Sequence, residues 1–288
     1  MDINIYTENF ATYLLRLGYA ESTIKHSKSA LERFLKQLES QQIQDLKEVQ
    51  PQNLTAYNEH LHSLKSRITK LGLNSKTIQQ NINVVKQFSQ FLELTEQLKI
   101  YTIKLETEPS IKQHRNILTQ NQIKQLYNEC DDTIIGIRNK AILGLYYGCG
   151  LRYSEGIKLE MSHIDYKKAL LYVAPGKNYK SRFVPINNQV LQDFKDYEMY
   201  SRSHFKTREN QFLSGNSSNA FLNKTLENLC NKAKIATPIC LHSLRHSIAT
   251  HLLQQEMPLE QIAKFLGHTT LRATEIYTRI ILENEQTN

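Results

Sequence analysis

The segment Leu241-His242-Ser243-Leu244-Arg245-His246 is predicted to begin a helix with one buried edge and one chemically active edge. Leu244 and Ile248 are four residues apart, a spacing typical of a helix face that packs into a core. His242 and Arg245 are three residues apart, so both side chains lie on one face of the same helix. The sequence therefore predicts a fixed platform that presents an imidazole beside a guanidinium group.

Three further stretches contain polar residues that belong to the same pattern. They are Gly150-Leu151-Arg152-Tyr153-Ser154-Glu155, Gly176-Lys177-Asn178-Tyr179-Lys180-Ser181-Arg182, and Leu266-Gly267-His268 with Tyr277 beyond. A phosphodiester that is attacked in line gains negative charge on its oxygens, and a site without metal meets that charge with fixed donors. Guanidinium suits this task because it is planar, always charged and able to bind two phosphate oxygens at once. The two arginines Arg152 and Arg245 therefore predict chemistry at a phosphate group.

Taken in order, the four stretches resemble the tyrosine recombinase family of Xer proteins and phage integrases, whose pattern is Arg, Lys, His-x-x-Arg, His, Tyr. The resemblance covers the chain from about Asn116 onward, and the preceding helices are similar in size and character to the family's SAM-like core-binding domain. It implies six catalytic residues: Arg152, Lys177, His242, Arg245, His268 and the nucleophile Tyr277. Glu155 matches an acidic position that supports them. One match means little in a chain with 15 tyrosines, but six in family order form a specific pattern.

The resemblance implies a site-specific DNA recombinase that cleaves and rejoins strands through a 3′-phosphotyrosyl intermediate. We expect Lys177 to protonate the leaving 5′-oxygen. Because the phosphotyrosyl bond stores the energy of the phosphodiester, we expect no cofactor, neither ATP nor metal. The relatives also imply double-stranded DNA as the partner, bound by a homotetramer or by a tetramer with a related recombinase. Two other functions share this residue set: a type IB topoisomerase-like nicking-closing enzyme, and a catalytically silent DNA-binding relative.

The chain is basic, with 36 Lys and Arg against 28 Asp and Glu and a net charge of +8, which favours a polyanionic partner such as nucleic acid. Five basic residues are predicted to contact DNA: Lys25, Lys28, Lys76, Lys180 and Arg182. The alternative is that the amino-terminal lysines form only a solvated face. We find no apolar run of about 18 residues, as a spanning helix needs, and no signal-peptide pattern at the start. No membrane contact and a cytoplasmic, nucleoid-associated location are therefore expected.

Periodicity predicts a mainly α fold with a small antiparallel β-sheet, divided into two domains. Residues 1–100 contain helical spacing throughout and form the predicted DNA-binding domain. Residues 101–115 lose that spacing and include a proline, which predicts a linker. Residues 116–288 form the predicted catalytic domain with a carboxyl-terminal tail.

Within the second domain, two β-prone runs at 170–173 and 182–186 flank a turn and predict a hairpin. Three helices are predicted to close the chain, near 242–254, 258–266 and 270–282.

Simpler explanations exist for single residues of the pattern. Arg152 and Glu155 are one helical turn apart, so an isolated pair of this kind is expected to form a structural salt bridge. Lys180 lies in the same predicted turn as Lys177, which is preferred because it matches the family position. The presence of the whole pattern favours the catalytic interpretation of each residue.

Overall fold

The computed structural model describes residues 1–65, 72–96, 98, 100, 116–176, 181–206, 210–268 and 274. The chain divides into two units, Met1–Gln113 and His114–Asn288. The predicted linker, residues 101–115, lies outside the described residues, and the roles assigned to the two domains stay predictions. Among the described residues, no helix is long and apolar enough to cross a membrane.

Four helices form the first unit, as the apolar spacing predicts. They are α1 (Ile3–Arg16), α2 (Glu21–Ser40), α3 (Pro51–Ser63) and α4 (Ser75–Thr95). α1 begins at Ile3 because the Asp2 carboxylate accepts a hydrogen bond from the Ile5 amide at 3.1 Å and caps the helix. Fully buried aromatic rings, including those of Phe10, Phe34 and Phe88, fill the space between the helices.

The second unit contains seven α-helices among its described residues. They are α5 (Gln120–Asn128), α6 (Ile134–Leu143), α7 (Tyr153–Gly156), α8 (Asn188–Asp196), α9 (Asn219–Lys232), α10 (Leu241–Gln254) and α11 (Leu259–Leu266). α6 is followed directly by a π-helical turn at Gly144–Gly148. The last predicted helix, 270–282, lies outside the described residues except for Thr274.

The predicted hairpin is confirmed, and a third short strand joins it. The sheet is antiparallel with the order β1 (Ile164–Asp165), β2 (Leu170–Val173) and β3 (Arg182–Pro185). Val173 pairs with Arg182, which places the first residue of β3 opposite the last residue of β2. The mainly helical fold with a small antiparallel sheet is therefore confirmed as well. β1 was not predicted because two residues are too short to show alternation.

α10 holds the first described residues of the second unit through two side chains. The Leu118 amide donates to Ser247 Oγ at 2.9 Å, and the Leu118 carbonyl lies 2.9 Å from His251 Nε2. Because a carbonyl only accepts, Nε2 bears the proton, and Nδ1 of the same ring accepts from Tyr147 Oη at 3.0 Å. Burial lowers the pKa of His251, although its bond to Leu118 opposes that shift. These contacts give His251 a structural role.

Candidate active site

A tight turn after the π-helical segment places Arg152. Gly150 adopts a φ of +59°, a left-handed conformation that glycine reaches without steric cost. A Cβ atom at this position would lie 2.9 Å from the Phe265 ring, so the turn also packs too closely for a side chain. Arg152 follows as the N-cap residue of α7, in an extended conformation.

The carboxylate of Glu155 joins three arginines. It accepts from the backbone amide and the Nη1 of Arg152, both at 2.8 Å. Arg182 binds it with both terminal nitrogens at 3.0 Å, a bidentate geometry that fixes the two planes against each other. Nη1 of Arg245 lies 3.8 Å from the same carboxylate. The predicted contact between Arg152 and Glu155 is therefore real, but it is one part of a larger network.

The ionised form of Glu155 is strongly favoured in this network. Its side chain is only 9% exposed, and burial alone would raise its pKa. The hydrogen bond and charge of Arg182, followed by the amide and charge of Arg152, outweigh burial and lower the pKa of Glu155 to about 2. At neutral pH the carboxylate is therefore a fixed negative charge among three guanidinium groups.

The last carbonyl groups of α11 are bound by the same three arginines. The pairs are Arg182 Nε to Phe265 at 2.9 Å, Arg245 Nη2 to Leu266 at 2.6 Å and Arg152 Nη2 to Gly267 at 3.3 Å. Cations are stabilising at a helix carboxyl end, where carbonyl groups lack partners within the helix. Gly267 ends α11 with a φ of +65°, and His268 follows directly. The arginines thus fix the backbone that presents His268.

α10 presents Arg245 and His242 as its periodicity predicts. Arg245 is 1% exposed, and its Nη1 also donates to the Gly150 carbonyl at 2.5 Å, so α10 is tied to the turn before Arg152. Leu244 is fully buried on the core side of the helix. His242 is exposed, and its ring packs edge-on against the ring of His246 with centroids 4.4 Å apart.

His268 lies among the charges of the arginine network. Burial, followed by the charges of Arg245, Arg152 and Arg182, lowers its pKa to about 4, although Glu155 acts in the opposite direction. Its Nδ1 lies 2.8 Å from Thr274 Oγ1. The imidazole is therefore neutral at pH 7, with one nitrogen as donor and the other as acceptor.

Three predicted site residues lie outside the described residues. They are Lys177, Lys180 and the nucleophile Tyr277. Of the other predicted catalytic residues, Arg152 and Arg245 meet at Glu155, and both bind carbonyl groups of the backbone directly before His268. His242 lies one helical turn before Arg245. The catalytic role of each of these residues stays a prediction.

The described residues that were predicted to contact DNA differ in exposure. Lys25 and Lys76 are exposed on the first unit, and Lys28, partly exposed, forms an ion pair with Glu8. Arg182 differs from these, because its side chain is 8% exposed and its guanidinium group is bonded to Glu155 and to the Phe265 carbonyl. Its placement does not favour a contact with a DNA backbone.

The contact of Thr274 with His268 and the inward direction of the Arg182 side chain were not predicted from the sequence. Thr274 contacts His268 across six residues, a spacing with no local signal. The inward direction of Arg182 does have a signal, since alternate residues of a strand share a face and Arg182 is two residues from Val184, which is fully buried.

This arrangement suits the binding of a phosphate group. Three guanidinium groups around the Glu155 carboxylate leave a surplus of positive charge, and His268 is neutral. Arg152 is the most accessible of the three, with 18% of its side chain exposed against 8% for Arg182 and 1% for Arg245. Fixed donors of this kind stabilise charge that develops on a phosphate under attack.

Comparisons with known proteins place the chain in a group of DNA-acting enzymes. The model of the phage integrase family matches residues 116–283. The tyrosine recombinase XerC of Anoxybacillus flavithermus is 26% identical over 290 residues, which cover 97% of this chain and 94% of that protein. XerC of Actinobacillus succinogenes is 31% identical over 217 residues, 73% of this chain and 72% of that protein. The Tn1549 transposon integrase, solved in complex with transposon right end DNA, has a similar fold: TM-score 0.72, 17% identity, and coverage of 96% and 94%.

Proposed function

The chain belongs to the phage integrase family and is a tyrosine recombinase, and from this premise we propose that Tyr277 is the nucleophile with which it cleaves DNA at specific sites. The observation that supports the proposal most is that Arg152 and Arg245 meet at Glu155 and also bind the backbone carbonyl groups of Gly267 and Leu266, directly before His268. These residues come from three separate stretches of the sequence, and a structural salt bridge alone does not require them to converge.

The proposed reaction proceeds in two steps at one phosphorus atom. The phenol of Tyr277 loses its proton to water and its oxygen attacks the scissile phosphate, while the bond to the 5′-oxygen breaks and Lys177 gives that oxygen a proton. Arg152 and Arg245 hold the non-bridging oxygens, and neutral His268 donates one further hydrogen bond. A 5′-hydroxyl from a partner strand then attacks the phosphorus of the 3′-phosphotyrosyl link and returns a proton to Lys177. The bond to the Tyr277 oxygen breaks, that oxygen takes a proton from water, and the phosphodiester is restored.

DNA is the proposed partner, and four copies are the proposed assembly. The net charge of +8 supports binding to a polyanion, and the similar Tn1549 integrase was solved with DNA. An exchange between two duplexes breaks four strands, so one nucleophile for each strand requires a tetramer, formed by this chain alone or with a related recombinase. Such a substrate places the enzyme at the nucleoid.

The test is covalent trapping. Target sites are first obtained by capturing protein-linked DNA from the cell and sequencing the bound ends, and a duplex with a nick beside the cleaved bond then prevents religation. We expect the parent protein to form an adduct that survives denaturing gels, and Tyr277→Phe to form none. Tyr200→Phe, at an exposed tyrosine of the same unit, serves as the matched control and keeps the adduct. An adduct with Tyr277→Phe would refute the assignment.

The product distinguishes the related functions. Exchange between two marked duplexes is expected of a recombinase. Relaxation of supercoiled DNA without exchange would identify a topoisomerase-like enzyme, and DNA binding without any adduct would identify a silent relative.

A further inference from the structure

We propose that Arg182 is a positioning residue for strand cleavage, an internal link between β3, Glu155 and the end of α11, and that it does not contact DNA. This inference rests on the proposed function, because the residues that Arg182 holds are those assigned to the reaction. It replaces the DNA-binding role that the sequence alone predicts for this arginine.

The contacts of Arg182 lie inside the protein. Its two terminal nitrogens each donate to one oxygen of Glu155 at 3.0 Å, and its Nε donates to the Phe265 carbonyl at 2.9 Å. Only 8% of the side chain is exposed, and the guanidinium group is paired with a buried carboxylate. A guanidinium group in this state adds little to the attraction of a phosphate backbone, which depends on accessible cations.

Gly267 leaves the space that the Arg182 side chain fills. A Cβ atom on Gly267 would lie 2.6 Å from Nη1 of Arg182 and 3.0 Å from its Cδ, so any larger residue would displace the guanidinium group. Gly267 also has a φ of +65°, which disfavours other residues on its own account. The close approach of Arg182 therefore depends on a glycine that immediately precedes His268.

Through these contacts Arg182 acts on two predicted catalytic groups. Glu155, which it holds from one side, binds the backbone amide and Nη1 of Arg152 from the other. The Phe265 carbonyl belongs to the last turn of α11, which ends in front of His268. Arg182 is also the first residue of β3, five residues after Lys177 in the sequence. The Arg182 side chain thus links β3, the strand that follows Lys177, to Arg152 through Glu155 and to His268 through the end of α11.

Arg182→Gln and Arg182→Lys test the role in the full chain with a nicked target duplex. We expect Arg182→Gln to slow adduct formation about 10²-fold at saturating DNA, because small displacements of catalytic groups have effects of that size. Arg182→Lys keeps the charge but lacks the planar fork, so a loss of rate is expected there too. For both variants the Kd for DNA and its salt dependence stay at the parent values. Lys224→Gln, which removes an exposed charge paired with Glu227, is the control and keeps all three quantities.

The pH profile separates positioning from a general loss of structure. The charge of Arg182 contributes to the low pKa of His268, together with burial and the charges of Arg245 and Arg152. Arg182→Gln should therefore move the acid limb of the cleavage profile to higher pH, whereas Arg182→Lys should lower the rate and leave that limb in place. If Arg182→Gln does not fold, the rate of adduct formation by Arg182→Lys at saturating DNA tests the inference by itself.

Two results would overturn the inference. One is a cleavage rate at the parent level in both variants. The other is weaker DNA binding, with a salt slope reduced by about 1 and a normal rate at saturation, as expected of a phosphate contact. Failure of the proposed function looks different, because the parent protein itself would then form no adduct.

Discussion

Replacing Glu155 by Gln tests the network at its centre. The variant keeps the size of the side chain and removes the negative charge among Arg152, Arg182 and Arg245. The pKa of Glu155 is about 2 against a usual value of 4.5, and this difference corresponds to about 3 kcal/mol of stabilisation at neutral pH. Removing one partner of a buried ion pair costs a similar amount, roughly 3–5 kcal/mol. We therefore expect Glu155→Gln to lose about 3 kcal/mol at pH 7, or about 6–12 °C in Tm for a unit of this size.

The stabilisation by Glu155 depends on pH and is lost in acid. A carboxylate with a lowered pKa stabilises the native state fully above its unfolded value of 4.5, and that contribution disappears as the pH falls through about 2. The parent protein should therefore lose the contribution of Glu155 over this range, whereas Glu155→Gln lacks that contribution at every pH. The difference between the two proteins is expected to be largest at neutral pH and to shrink in acid.

The assay is urea unfolding followed by circular dichroism between pH 2.5 and 7. Hydrogen exchange of peptides from residues 145–165 identifies the transition that belongs to the second unit. Glu227→Gln is the matched control, because Glu227 forms an exposed ion pair with Lys224 at 2.9 Å and such pairs contribute at most about 1 kcal/mol. Equal stability of parent and Glu155→Gln at pH 7, or a difference that does not vary with pH, would refute the reasoning.

Three further predictions concern the turn, the histidine and the first unit. Gly150→Ala would place a Cβ atom 2.9 Å from the Phe265 ring and is expected to slow cleavage about 10²-fold. Gly18→Ala, at φ +78° with open space around it, is the control and is expected to keep the parent rate. Equal cleavage rates for the two variants would contradict this prediction. The ring of His268 should titrate near pH 4 by NMR in the free protein and at a higher pH once DNA phosphate is bound. Because the unfolded imidazole titrates near 6.5, the stability of the protein should fall as the pH drops from 6.5 to 4. A midpoint at pH 6 in the free protein would contradict the effect of burial and of the arginine charges on His268. Lys25→Gln should lower the salt slope of DNA binding by about 1 while Lys47→Gln leaves it unchanged, and identical slopes would remove Lys25 from the interface.

The sequence was sufficient for the features that have a local pattern. The longer helices of both units follow apolar spacing, and the hairpin follows two β-prone runs around a turn. Arg245 and His242 lie on one helix, as their spacing predicts, but burial extends to Arg245 and is not confined to the opposite edge. The convergence of the site residues was implied by a resemblance, because no periodicity relates Arg152 to His268.

The features that escaped prediction depend on contacts distant in sequence or on very short elements. Over five residues, a π-helical turn such as Gly144–Gly148 has no spacing that differs recognisably from an α-helix. The inward direction of the Arg182 side chain was not predicted, since its charge alone indicated a contact with DNA. The three-way role of Glu155 could not be predicted, since its partners are 3, 27 and 90 residues away along the chain.

The hydrogen bonds of Leu118 determine where the second unit can be separated from the first. The Leu118 amide donates to Ser247, and its carbonyl accepts from His251, both on α10. The Asn116 side chain donates to the Pro238 carbonyl at 2.5 Å. A fragment that starts at Gln120 would leave the buried groups on α10 without these partners, and each unsatisfied group costs about 1–3 kcal/mol. An excised fragment of the second unit must therefore retain Asn116, even though the first helix of that unit begins four residues later.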